Sequence, residues 1–230
     1  MNRGLVMNDV VETLQNTFFV DNKYLIFLEG FVNTLILTFV SLILGILLGL
    51  LFTRMIYSKN KKISKLGWAI TTLFVEMPTV VLLMIIVYII FSHISFPVLI
   101  AAIIALTLKA AAYHEGIFEA VYKVVDKGEI EAARSLGMTK WQTFKKITFP
   151  QAFEAAAPLL KSQFVSTMQE TSIVGYLAIM DMTMAITTLT DRIVDSFLGY
   201  LVITVVYMLI SALVKHIINR LLIRVKEHII

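Results

Sequence analysis

No cysteine occurs in the 230 residues, which excludes a disulfide scaffold, a thiolate metal site and a cysteine nucleophile. Charge is also scarce: 16% of residues are Asp, Glu, Lys or Arg, against 58% that are hydrophobic. A soluble domain of this size cannot hide so much apolar surface, so the sequence reads as an integral membrane protein. The net charge of +4 does not point to nucleic acid, because the basic residues cluster beside apolar segments instead of forming a face of their own. There is no Gly-rich Lys-Ser/Thr phosphate loop, no internal repeat and no low-complexity linker. The N-terminal stretch lacks the compact apolar run of a signal peptide and carries Asp9, Glu12 and Asp21. One membrane domain is the economical reading.

What is present is a set of long apolar runs. A bilayer core needs about 20 predominantly apolar residues in helix. The first candidate runs from about Tyr24 to Thr53 and the second from about Gly67 to Phe91, with Glu76 and Pro78 in its first half. The third starts at Pro97, suited to a first helical turn, and fades near Tyr122; the last runs from about Phe197 to Val214 and continues as a basic amphipathic tail. Between them Gln151 to Gly175 is far more polar, with Lys161, Ser166, Thr167, Gln169, Glu170 and Thr171.

Parity decides whether that polar stretch crosses. Arg54, Lys59, Lys61, Lys62 and Lys65 follow the first span, Lys123 to Lys146 follow the third, and Arg220, Arg224 and Lys226 close the chain. Basic loops stay cytoplasmic, and the chain returns to that side at its end only if Gln151–Gly175 crosses too. The expected fold is therefore all-α, with about five transmembrane helices, the N-terminus outside and the C-terminus cytoplasmic. Residues 1–23 form an external segment and residues 227–230 a cytoplasmic tail. The fourth span must avoid lipid, since its polar groups are tolerable only against protein or a water-filled path.

The most informative stretch is Glu131 to Pro150, EAARSLGMTKWQTFKKITFP. Asp126 followed by Glu129, and Thr139 followed by Gln142, are helix-start signals of the capping-box type. Gly137 between them can adopt the left-handed conformation that ends one helix and turns the chain. Two short amphipathic helices follow, with Ile130, Ala133 and Gly137 near one face of the first. Trp141, Phe144 and Ile147 share a face of the second, and Pro150 is expected to stop it. The stretch either lies on the membrane surface or docks another protein; the small pair Ala132-Ala133 favours docking, because it allows close backbone approach.

Glu131-Ala132-Ala133, Gly137, Ile147 and Phe149-Pro150 stand at the spacing of the EAA loop, and the sequence resembles the ABC-importer permeases of the polar amino-acid (histidine/glutamine) type. Ala112-Tyr113, Asp126-Lys127-Gly128-Glu129, Pro150-Gln151-Ala152-Phe153, Glu170-Thr171-Ser172 and Gly175-Tyr176 extend the likeness over residues 24–226. The resemblance implies a multi-pass permease domain in the bacterial cytoplasmic membrane, with residues 123–150 as its cytoplasmic coupling loop. It further implies a second permease subunit, a cytoplasmic ABC ATPase dimer that holds the ATP, an external solute-binding protein and surrounding lipid. This chain would carry no cofactor, catalyse nothing itself and bind no nucleic acid. By the same resemblance Glu131, Ala132, Ala133, Gly137, Trp141, Ile147 and Pro150 would contact the ATPase.

Departures from the family pattern fall elsewhere. Val75-Glu76-Met77-Pro78 stands where Arg-Gly-Thr-Pro is common, Lys109 where a small polar residue is usual, and Glu115 one position early in Ala112-Tyr113-His114-Glu115-Gly116. Either this subunit is structural and pairs with a permease that keeps the solute site, as a heterodimer, or the pathway suits another ligand, such as a cation opposite Glu76. Glu76, Pro78, Lys109, Tyr113, Glu115, Gln169, Glu170 and Thr171 are the candidate pathway residues, with Lys109 or Lys161 as possible partners of Glu76. A non-transporting scaffold or sensor that keeps the fold and the ATPase docking is the alternative function. An integral membrane enzyme is a third, with no catalytic set visible. His114, Glu115 and Glu119 lack His-Glu-x-x-His spacing and are assigned no metal. Gly45-x-x-x-Gly49 reads either as a close-packing motif or as chance in a Gly/Leu-rich span. Asp181, Asp191 and Asp195 are placed outside as solvated acids within reach of a binding protein.

Overall fold

A computed structural model of the chain describes residues 22–190 and 196–227; the first residues, the last three, and Asp191 and Asp195 lie outside that description. The described residues are mostly helical: α1 Tyr24–Ile56, α2 Lys61–Glu76, α3 Thr79–Ile85, α4 Val98–Val124, α5 Lys127–Ser135, α6 Lys140–Thr143, α7 Phe149–Glu170, α8 Met182–Thr190 and α9 Ser196–Glu227. Three helical stretches are long and apolar enough to cross a membrane alone: Tyr24–Ile56, Val98–Val124 and Gly199–Leu221. Two further crossings arise if each bent pair, Lys61–Glu76 with Thr79–Ile90 and Lys140–Leu177 with Met182–Thr190, counts as one. The protein is thus an all-α integral membrane protein with three such helices, or five crossings if both bent pairs span, one of which contains the polar α7.

The second expected span is broken where its sequence predicts trouble. Proline disfavours helix at the residue before it, and Met77, at ψ 127°, leaves α2 in an extended conformation. Beyond Pro78 the chain resumes as α3 and widens into a π turn, Ile86–Ile90.

Two compact units divide the chain. The first draws on the described parts of Met1–Ser41, Thr79–Leu106 and Thr167–Ile210. Here α1 carries an Asn33 amide that donates to the Met180 carbonyl at 2.8 Å, while Thr34 Oγ1 accepts from the Met182 backbone at 3.0 Å. Met182, Ile186 and Ile203 form its buried cluster, against Phe27, Phe31, Val206 and Ile210. Asp181 is not the solvated acid the sequence led us to expect. It is fully buried as the cap of α8, its carboxylate accepting from the Thr183 and Met184 amides at 3.0 Å each. Satisfying those orphan donors is what an Asp does at a helix start.

The second unit comprises the described parts of Leu42–Pro78, Thr107–Ser166 and Ser211–Ile230. Its centre is the crossing of α1 on α4. A Cβ placed on Gly45 would sit 2.7 Å from that of Ala110, and one on Gly49 2.8 Å from that of His114. Gly45-x-x-x-Gly49 is therefore a packing motif of the kind that lets helix backbones approach in a membrane. His114 is buried against it, its Nδ1 2.7 Å from the Ala110 carbonyl.

Candidate functional site

The polar elbow of the second unit is built by local signals. Asp126 caps α5 by accepting from the Gly128 amide. The Glu129 carboxylate takes a bond from the Gln151 amide instead of closing the expected box, and so ties α5 to the start of α7. After α5, Gly137 adopts φ +85°, a conformation that costs other L-residues about 1–2 kcal/mol. Arg134 closes the turn by donating to the Met138 carbonyl at 2.6 Å. The next helix opens with a complete capping box, in which Thr139 and Gln142 satisfy each other's backbone amides.

Pro150 does not stop this helix. The backbone passes from α6 through a π turn, Phe144–Thr148, directly into α7, with the Phe149 amide donating to the carbonyl of Phe144, five residues back. A proline lacks its amide and its ring crowds the carbonyl four residues earlier; the wide turn carries the helix past that conflict. It also resets the faces. Trp141, Phe144, Phe149 and Phe153 form a row of rings with centroids 5.7, 5.9 and 5.9 Å apart, and the five-residue step in that row matches the π turn. Ile147, expected beside Trp141 and Phe144, faces elsewhere.

Where it faces is a groove. Ala132, Ala133, Ile147 and Pro150, all singled out by sequence, line it together with Leu136 and Met138. Ala133 is buried and Ala132 exposed, so the small pair provides one packed and one open position. Glu131, Gly137 and Trp141 are exposed but are not among the walls. Leu136 was missed by sequence reasoning, yet it is 85% exposed, more than Trp141 at 68%. A large apolar side chain is thus held out at the turn of a capped elbow, beside the groove it helps to line. Its signal was an apolar residue immediately before the turn glycine.

The candidate pathway residues are divided between the two units. Lys109, only 4% exposed, is directed at the backbone at the end of α2. Its ammonium donates to the carbonyls of Phe74, Val75 and Met77 at 3.0, 2.8 and 2.6 Å, and lies 5.4 Å from the ring centre of Tyr113. A cation at a helix C-terminus is favoured by the backbone dipole and by the unpaired carbonyls there. Lys109 therefore clamps the end of α2 at the break that Pro78 imposes. Glu76 itself is exposed, as is Pro78. Lys161, the other suggested partner of Glu76, donates to Asn219 on α9. Glu115 is buried with one carboxylate oxygen lacking a hydrogen-bond partner. Gln169, Glu170 and Thr171 belong to the other unit; Thr171 is buried and returns its hydroxyl to the Met168 carbonyl at 2.8 Å, while Gln169 is exposed.

Comparison with known proteins accords with this geometry. Residues 29–227 match the family described as binding-protein-dependent transport system inner membrane component. The probable amino-acid permease protein YxeN of Bacillus subtilis is 36% identical over 153 residues, 65% of this chain and 68% of the relative. The glutamate/aspartate import permease protein GltK of Escherichia coli is 32% identical over 174 residues, 72% and 78% of the two chains. In three dimensions the chain is similar to the crystal structure of an amino acid ABC transporter with histidines, with a TM-score of 0.75 and 28% identity over 86% of this chain and 94% of that one. The protein is an integral membrane component with several apolar helices, and it belongs to the family of binding-protein-dependent transport system inner membrane components.

Proposed function

We propose that this chain is the membrane permease subunit of an ATP-driven importer of amino acids or related small polar solutes, and that residues 123–150 couple it to a separate cytoplasmic ATPase. The observation that carries the coupling role is the capped elbow itself. Leu136 stands exposed at its turn, and the groove of Ala132, Ala133, Ile147 and Pro150 lies on the same segment. Glycine at the turn, caps on both helices and the Glu129–Gln151 bond make the segment rigid, and a rigid element can transmit a rigid-body motion. The basic flanks of the segment favour the cytoplasmic side, where an ATPase would meet it. ATP belongs on that partner, and this chain acts as a transport component without chemistry of its own.

The solute class rests on the relatives, which are named as permeases for amino acids and for glutamate and aspartate. An external solute-binding protein would deliver it, in keeping with the family description. A second, different permease subunit completes the path in this reading. Lys109 is engaged with the carbonyls of α2, which supports a structural role for the altered stretch and leaves solute recognition to the other subunit.

The test is Ala132→Trp in the complete complex. Ala132 is exposed, so the bulky ring fills the groove without disturbing the interior. ATP-dependent amino-acid uptake into vesicles should be lost while membrane insertion is retained. Uptake equal to the parent's would overturn the coupling assignment, and ATPase binding without transport of any amino acid by the parent complex would favour the scaffold reading.

A further inference from the structure

Within the second unit lies a cavity of about 640 Å³, inside the range of roughly 300–1,000 Å³ typical of small-ligand sites. Its walls are strongly apolar, among them Leu50 on α1 and Phe118 and Val121 on α4. Two cations, Arg54 and Lys127, also line it and are exposed, whereas none of its described lining residues is acidic. Of the neighbouring acids, Glu119 pairs with Lys123 at 2.8 Å, Asp126 caps the Gly128 amide at 2.8 Å, and Glu115 is buried and does not line the cavity.

The depth of the cavity follows from its own residues. Tyr57 and Tyr122 are exposed and meet with ring centres 5.4 Å apart, as befits aromatic side chains at the membrane–water boundary. Leu50 stands seven residues before Tyr57 on α1, about 10 Å along the axis and toward the hydrocarbon. The cavity thus has cations and phenols at headgroup level and aliphatic walls below.

We infer that it holds an acyl chain of an anionic phospholipid from the cytoplasmic leaflet, with the lipid phosphate held by Arg54 and Lys127. Basic pockets between membrane helices on the cytoplasmic side recognise such headgroups. An acyl chain matches the aliphatic walls, and a phosphate diester matches two exposed cations with no acid among the lining residues. Ile130 and Phe144 of the elbow also line the cavity, so the bound lipid braces the segment that faces the ATPase. That consequence rests on the coupling role proposed above; the binding itself does not.

The experiment reads binding alone. The complete complex is reconstituted in phosphatidylcholine vesicles containing a photoactivatable phosphatidylglycerol, and labelled peptides are identified by mass spectrometry. Labelling should fall on residues 50–57 and 118–127, and Arg54→Gln with Lys127→Gln should weaken it about 30-fold, each cation contributing about fivefold. Val121→Trp should exclude the chain with both cations intact, whereas Lys215→Gln, at an exposed site outside the cavity, should change nothing. Equal labelling by photoactivatable phosphatidylcholine, indifference to the double substitution, or capture of a protein subunit in place of lipid would each overturn the assignment.

Discussion

The elbow at 123–150 and the break at Val75–Pro78 are both places where a proline meets a helix, and the chain resolves them in opposite ways. At Pro150 the helix widens into a π turn and continues, leaving Leu136 and Trp141 exposed and a groove open. At Pro78 the helix ends, and a buried lysine from α4 closes over the carbonyls it leaves behind. One solution keeps a surface available; the other spends a charge on the fold. A residue that breaks its family's pattern is therefore not automatically a change in what the protein recognises.

Four substitutions can break or sharpen that contrast. The largest effect is expected for Lys109→Met, which strands three carbonyls at the end of α2 and should destabilise the protein by about 3–5 kcal/mol; thermal unfolding of the purified complex reads it. A Lys109→Met protein with unchanged stability and altered solute preference would return Lys109 to the pathway. Gly137→Ala comes next. A Cβ there meets nothing within 4 Å, so the cost of about 1–2 kcal/mol is backbone strain alone, visible as faster hydrogen exchange across the elbow. Thr139→Ala removes one arm of the capping box and should cost about 1 kcal/mol, again local to the elbow. Smallest is Glu76→Gln, where an exposed acid predicts a change within about 0.5 kcal/mol. If that variant instead shifts uptake between cationic and anionic solutes, the second region is a recognition site after all.

Much of this was legible in the sequence where a single local rule applied. The span order came from apolar runs and the distribution of lysine and arginine, and the turn at Gly137 and the Thr139–Gln142 box came from residue types at fixed offsets. The π turn was not legible because face assignments assume a constant helical step. The 3-5-4 spacing of Trp141, Phe144, Phe149 and Phe153, with Pro150 inside it, was the available sign. The bonds of Lys109 were not legible because its partners are backbone carbonyls some 32–35 residues away in sequence, and carbonyls carry no sequence signature. Asp181 had a readable role, an Asp ahead of the apolar helical run of α8, but its apparent place in an outer loop obscured it. Leu136 was passed over because apolar residues were sorted by helical face, and it sits at the end of a helix where faces lose meaning.

The central claim is that the elbow is the contact to the motor, and Leu136→Asp tests it most directly. The exchange is made at a side chain 85% exposed, so stability should change by no more than about 0.5 kcal/mol. If Leu136 is an anchor of the contact, loss of about 2 kcal/mol or more of binding energy is expected. Co-purification of the ATPase with the variant and ATP-dependent uptake in reconstituted vesicles should then both fall roughly 30-fold or more. A Leu136→Asp complex that retains its ATPase and imports at the parent's rate would contradict the account.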